Sequence, residues 1–193
     1  MRRLLLIFFL LLLTACSMKT TELHIYTLNP SLDIHKHSNS SYSSSSVKVA
    51  YPSSIKGIIS KRMIYTYDDL EEGTYANAQW STASSKLLMN SFIRVMEKSR
   101  VFASTLEYTS LAHTDYLLES EVYEFYHKVR KNLSVAVVSI RFNLIHSQSN
   151  TLIKSRKFSY QIPTETVDAQ GYVKATNKAV EKISKDLVQW LAR

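Results

Sequence analysis

Residues 133–146 read Leu-Ser-Val-Ala-Val-Val-Ser-Ile-Arg-Phe-Asn-Leu-Ile-His. Ala136, Val138, Ile140, Phe142 and Leu144 fall on one side of an extended chain, and Ser139, Arg141 and Asn143 on the other, because successive strand side chains point to opposite faces. A period-two pattern of this length without Gly or Pro predicts a long strand with one buried face. Both flanks repeat the logic. Residues 115–129 are rich in Tyr and Val but alternate imperfectly, which predicts a second strand carrying a bulge near 120–124. Arg130-Lys131-Asn132 is the turn between the two. On the other side, Ser147-Gln148-Ser149-Asn150 makes a hairpin connection to a strand over 152–162. That strand puts Leu152, Phe158, Tyr160 and Ile162 on its buried face and stops at Pro163.

The period then changes. From Asp168, a good N-cap, Tyr172, Ala175, Ala179, Ile183, Leu187 and Trp190/Leu191 recur at helical spacing, with Lys174, Lys178, Lys182 and Lys185 on the remaining arc. Upstream, residues 77–100 contain no Gly or Pro, and Trp80, Ala83, Leu87, Leu88, Ser91, Phe92 and Val95 share one broad helical face. Thr74 or Asn77 is the expected cap. Before it, Val47, Val49 and Tyr51 alternate up to Pro52, and residues 61–67 form another strand-like run. The order β-β-α-β-β-β-α predicts an α+β domain: a mostly antiparallel sheet of about five strands with two long helices packed on one face.

Composition excludes several classes. With 3 Gly, 3 Pro and 1 Cys in 193 residues, the chain is neither collagen-like nor a disulfide scaffold. Its isolated glycines, Gly57, Gly73 and Gly171, do not make a P-loop or dinucleotide fingerprint. Arg2 and Arg3 precede an apolar run over 4–13 and then Thr14-Ala15-Cys16, the order of an export signal. The run is about half the roughly 20 residues a spanning helix needs. Leu13-Thr14-Ala15-Cys16 resembles a bacterial lipobox, with the one Cys of the chain at its modified position. That resemblance implies cleavage between Ala15 and Cys16, a diacylglycerol on the Cys16 thiol and an acyl chain on its amine, with no other cofactor. A free buried thiol is the alternative. Ser17, where retained lipoproteins carry Asp, points to a lipid anchor in the outer membrane with the domain facing the periplasm. For an exported chain, the formal charge of +8 does not point to nucleic acid.

The organisation expected is therefore a signal peptide over 1–15, a lipidated Cys and flexible Ser-rich tether over 16–46, and one globular domain over 47–193. The tether contains one β-leaning motif, Ile25-Tyr26-Thr27-Leu28, closed by Asn29-Pro30. Tyr26 and Leu28 are expected to pack on the domain edge or on a partner by strand addition.

Candidate chemistry is sparse. His35 and His37 lie near each other without a carboxylate to orient them. His113-Thr114-Asp115 is half of a triad, but no G-x-S-x-G elbow accompanies it. His24, His127 and His146 read as partly exposed strand-end residues. Asp68, Asp69, Glu71 and Glu72 form an acidic run suited to a helix N-terminus. Glu119, Glu121 and Glu124 are expected to divide between the two faces of their strand. No catalytic constellation and no metal site is predicted, so the expectation is a chain that is not an enzyme. Lys128, Arg130 and Lys131 cluster at one turn, and Lys154, Arg156 and Lys157 on the neighbouring strand. If the register unites them they form one basic patch toward anionic lipid; otherwise they are a solvated, edge-protecting rim.

Several features together resemble the ABC-type transport auxiliary lipoprotein family, which includes the PqiC-type lipoproteins. They are the lipobox, Tyr26-Thr27-Leu28-Asn29-Pro30 soon after it, the strand Val47-Lys48-Val49-Ala50-Tyr51-Pro52, the run Arg62-Met63-Ile64-Tyr65, and Trp80 opening the first long helix. The Ser-rich insert at 38–46 and Ser53-Ser54-Ile55-Lys56 after Pro52 depart from the pattern. The resemblance implies a non-catalytic outer-membrane lipoprotein facing the periplasm. It would work with ABC transporter subunits and an MCE-domain protein in moving lipids between membranes, with homo-oligomerisation left open. A lipoprotein scaffold or assembly factor that binds another envelope complex or peptidoglycan is the competing reading.

Overall fold

The structure, a computed structural model, describes residues 22–54, 59–67 and 71–193. The expected signal peptide, Cys16, Asp68 and Asp69 lie outside the described residues. In chain order the elements are β1 (His24–Tyr26), β2 (Ser46–Val49), β3 (Arg62–Thr66), β4 (Glu72–Trp80), α1 (Ser84–Ser99), β5 (Ser104–Glu107), β6 (Tyr116–Arg130), β7 (Leu133–His146), β8 (Thr151–Pro163) and α2 (Ala169–Ala192).

The long meander forms as the alternation predicts. β6 pairs antiparallel with β7 from Tyr116↔His146 to Arg130↔Leu133, and β7 pairs antiparallel with β8. The register of β6 shifts between Val122 and Glu124, so the imperfect alternation is a bulge. On its other edge β6 forks. Its first half pairs parallel with β2, which in turn pairs with β5, while its second half pairs parallel with β3, followed by β4 and β1. Ser53 extends the β2 contact: its N–H donates to the Ser120 carbonyl and its carbonyl accepts from the Val122 N–H.

The sheet therefore differs from the one expected. It has eight strands among the described residues, and four of its seven strand pairings are parallel, so it is mixed and not mostly antiparallel. Residues 77–80 belong to β4, and the helix starts at Ser84 with Ala83 at its cap position and no side-chain cap, so neither Thr74 nor Asn77 caps it. The acidic run leads into a strand, with Glu72 as the first residue of β4. Trp80 ends that strand and is fully buried, its ring 5.6 Å from Phe125 and 5.9 Å from Tyr172.

Both helices cover the same face. Phe142 of β7 meets Phe92 of α1 edge-on at 4.9 Å, and Phe158 of β8 lies 6.1 Å from Phe142 and 6.3 Å from Trp190 of α2. Each large side chain buried this way contributes about 1.5–3 kcal/mol. Asp168 caps α2, its carboxylate accepting from the Gly171 N–H at 2.7 Å. Gly171 has to be glycine because a Cβ there would collide with the Thr166 carbonyl.

The segment expected to be a flexible tether is part of the domain from residue 22 onward. Leu28, Leu32 and Tyr42 are buried in the core. Asn29 links the two helices: its N–H donates to Asn177 Oδ1 of α2 at 2.7 Å, and its Oδ1 accepts from Arg94 of α1. Further on, the His37 N–H donates to the carbonyl of Ser99, the last residue of α1, Ser40 Oγ donates to the Val101 carbonyl at 2.6 Å, and Tyr42 stacks on Phe102 at 5.3 Å. The segment is held here because the His37 N–H satisfies the Ser99 carbonyl, which has no partner within the helix, and the Ser40 hydroxyl satisfies the Val101 carbonyl just beyond the helix end.

This strap gives a direct prediction. Leu28→Ala is expected to lower the free energy of unfolding by about 2–5 kcal/mol in urea titrations, as a buried Leu truncation does. An unchanged midpoint would mean that residues 22–34 do not belong to the cooperative unit.

Candidate functional site

The residues with catalytic precedent are occupied structurally. Asp115 Oδ2 accepts from both the N–H and the hydroxyl of Ser46 at 2.7 Å, joining the start of β2 to the start of β6. These bonds hold the Asp115 carboxyl below its ordinary range, the Ser46 backbone bond being the largest cause. His113 is exposed. Glu119, Glu121 and Glu124 do not divide between two faces. The buried residues of β6 are Leu118, Ser120, Val122, Phe125 and His127, so the bulge leaves all three Glu on the outer side. The Tyr123 hydroxyl donates to Glu121 at 2.6 Å, and the Tyr126 hydroxyl to Glu124 at 3.3 Å. Glu119 and Glu121 line an open cleft of about 430 Å³ where the segments after β2 and β5 meet β6 and β7, together with Tyr51, Ser53, Tyr108 and Asn143.

One polar cluster was not anticipated. His127 is fully buried, not partly exposed, because the bulge brings it into phase with Phe125 on the inner face. Its ring stacks on Tyr172 at 5.3 Å and an interplanar angle of 7°. His127 Nδ1 is 2.6 Å from the Tyr75 hydroxyl and Nε2 is 2.8 Å from Ser134 Oγ. Ser134 Oγ bonds Thr164 Oγ1, and Thr164 Oγ1 donates to the Ser134 carbonyl. One arrangement of protons satisfies the whole chain: Tyr75 donates to Nδ1, Nε2–H donates to Ser134, Ser134 donates to Thr164, and Thr164 donates to the carbonyl. Burial pushes His127 down to about 4, with the Asp168 charge opposing it, and pushes Tyr75 up to about 12. The Ser134 hydroxyl is committed to this chain, so the cluster ties the β3–β4 hairpin to the β6–β7 turn and to the loop before α2. Tyr75 also lines a 320 Å³ cleft with Tyr65, Tyr67, Val129 and Val167.

The basic residues fall into two separate groups. Arg130 pairs with Leu133, whereas Lys154 pairs with Leu144, eleven residues further along β7 and about 35 Å away at strand rise. Lys128, Arg130 and Lys131 therefore do not join Lys154, Arg156 and Lys157 in one patch. Within the second group the side chains divide between faces. Lys154 Nζ lies over the Tyr42 and Trp190 rings on the helix side, and Lys157 Nζ lies 4.5 Å from the Tyr123 ring centre on the outer side. Tyr26 and Leu28 both pack on the domain: β1 pairs parallel with β4 through Tyr26↔Trp80, and Leu28 is in the core.

The His127 cluster predicts a pH dependence of stability. The folded imidazole stays neutral down to about pH 4, whereas the unfolded one takes up a proton near 6.5. The contribution is therefore complete above pH 6.5 and is lost as pH falls toward 4, amounting to about 3 kcal/mol. Urea midpoints across pH 4–8 should show this loss in the wild type, and the His127→Phe profile should be flatter over pH 4.5–6.5. Parallel profiles would contradict the burial of a neutral His127.

Comparison with known proteins agrees with this architecture. A protein from Xanthomonas campestris of the DUF330 family has the same fold with a TM-score of 0.76 and 24% identity, over 87% of this chain and 94% of that one. A PelC dodecamer from Paraburkholderia phytofirmans aligns at a TM-score of 0.50 and 13% identity, covering 78% of this chain and 90% of that one. No curated protein matches the chain. The profile of the ABC-type transport auxiliary lipoprotein component matches residues 26–188, from Tyr26 on β1 into the last turns of α2. The chain belongs to the ABC-type transport auxiliary lipoprotein family.

Proposed function

We propose that the protein is a non-catalytic subunit of an ABC transport system that moves lipids between the membranes of the cell envelope. In this reading the acyl chains on Cys16 hold it in the outer membrane and the domain faces the periplasm. The observation that carries the proposal is the family match over 26–188 following directly on the lipobox Leu13-Thr14-Ala15-Cys16. Two or three acyl chains give the firm anchoring that one chain does not. No helix among the described residues is long and apolar enough to cross a membrane.

A non-catalytic role is supported by how the polar side chains are used. Asp115, Glu121, Glu124, Ser134 and His127 each hold one element to another or satisfy a neighbouring hydroxyl. The partners in this reading are the ABC subunits and an MCE-domain protein that spans toward the outer membrane. Homo-oligomerisation is part of the proposal, since the Paraburkholderia neighbour is a dodecamer.

Mass spectrometry of the N-terminus and density-gradient separation of the two membranes test the anchor. The mature chain is expected to begin at an acylated Cys16 and to sediment with the outer membrane, and Cys16→Ser is expected to lose acylation and leave that fraction. An unacylated N-terminus, or wild-type protein in the inner membrane, would overturn this part of the reading.

A further inference from the structure

β8 pairs with β7 along its length and with no other described strand. In an antiparallel ladder every second residue turns its N–H and C=O away from the paired neighbour, so the outer edge of β8 offers a row of main-chain donors and acceptors. This edge carries three cations within four residues, Lys154-Ser155-Arg156-Lys157. Each is steadied by an aromatic ring. Lys154 Nζ is 5.4 Å from the Tyr42 ring centre and 5.8 Å from that of Trp190, and also donates to the Trp190 carbonyl. The Arg156 guanidinium is 5.3 Å from Phe158, and Lys157 Nζ is 4.5 Å from Tyr123. Among the described residues, ion pairs include those of Arg141, Lys174, Lys178 and Lys185, and none engages these three.

The placement of the three charges selects the ligand. Lys154 and Arg156 are on the helix side of the sheet and Lys157 is on the outer side, because they alternate along the strand. A flat anionic surface lying against one face meets one set only. A chain lying in the plane of the sheet, beside β8, comes within reach of both. A second copy adding its own β8 would set like charges side by side, which is destabilising. We infer that the free edge of β8 is a docking site for an extended acidic segment of another protein, added as a further strand with its carboxylates beside Lys154, Arg156 and Lys157. The main chain of the segment supplies affinity, and the cations exclude neutral and basic strands. This inference stands independently of the lipid anchor and of the transport reading.

The test uses the full-length chain in neutral detergent and a labelled peptide, Thr-Val-Thr-Val-Glu-Glu-Glu-Glu-Val-Thr-Val-Thr, with a fully N-methylated counterpart of the same charge. Binding is read by fluorescence anisotropy, and amide hydrogen exchange reports on β8. The peptide is expected to bind and to protect β8 amides, N-methylation to weaken binding at least tenfold, and Arg156→Glu and Lys157→Glu each to weaken it at least tenfold. Both substitutions are at exposed positions, and Lys157→Gln, which removes the charge without reversing it, is expected to fall between wild type and Lys157→Glu. Absence of peptide binding overturns the inference. Equal binding of the N-methylated peptide, or equal protection of β8 by phosphatidylglycerol vesicles, overturns it in favour of a general anion surface. Protection of β8 that rises with protein concentration alone overturns it in favour of a second copy.

Discussion

One strand has to satisfy three neighbours. β6 pairs with β7 along its whole length, and on its other edge it pairs first with β2 and then with β3. A straight, evenly pleated strand would extend a single sheet. The bulge between Val122 and Glu124 adds a residue and local twist where the partner changes, so the edge turns from one branch toward the other. Everything beyond follows from that fork: the β2–β5 branch, with the cleft it forms against β6 and β7, and the β3–β4–β1 branch. The helices close the inner face over both branches, with Phe92 of α1 against Phe142 and Tyr172 of α2 against Trp80.

The bulge also determines which polar groups are buried. It puts Phe125 and His127 inside and leaves Glu124 and Tyr126 outside. A buried imidazole is tolerated because Tyr75, Ser134 and Thr164 complete its hydrogen bonds, and the same bonds fix the far end of the second branch. The N-terminal strap adds further joints. Asn29 joins the two helices, and Ser40 and Tyr42 close the end of α1. Polar side chains that in isolation resemble parts of a catalytic site are thus the joints between elements. This suits a protein that presents rigid surfaces to partners.

How much of this is legible without coordinates depends on the regularity of each element. β7 and α2 repeat their periods over many residues, and residues 133–146 are recognised as β7 at both boundaries. β4 was hidden because Glu72-Gly73-Thr74-Tyr75-Ala76-Asn77-Ala78-Gln79-Trp80 is half exposed and poor in β-branched residues. Trp80 and Ala83 also happen to extend the apolar face of the following helix backward by one turn. β5 has four residues and only a long-range partner. The strap was hidden by composition: its serines read as a flexible coil, and Leu28, Leu32 and Tyr42 are too widely spaced to show a period. The parallel partners of β6 come from distant parts of the chain, and no local signal marks them. Burial of His127 follows from the sequence only when the phase of β6 is carried across the bulge expected near 120–124. The separation of the two basic groups required the register of β7, which the hairpin lengths fix only once both turns are known.

In the proposed function the domain is a docking platform for a transport system and does no chemistry of its own. The most direct measurement is in-membrane crosslinking of the wild-type lipoprotein, followed by affinity capture and mass spectrometry, with Cys16→Ser as the control for anchoring. ABC subunits or an MCE-domain protein are expected to be captured with the wild type and depleted in the control. Capture of peptidoglycan-associated or outer-membrane assembly proteins alone, with no transporter component, would contradict it.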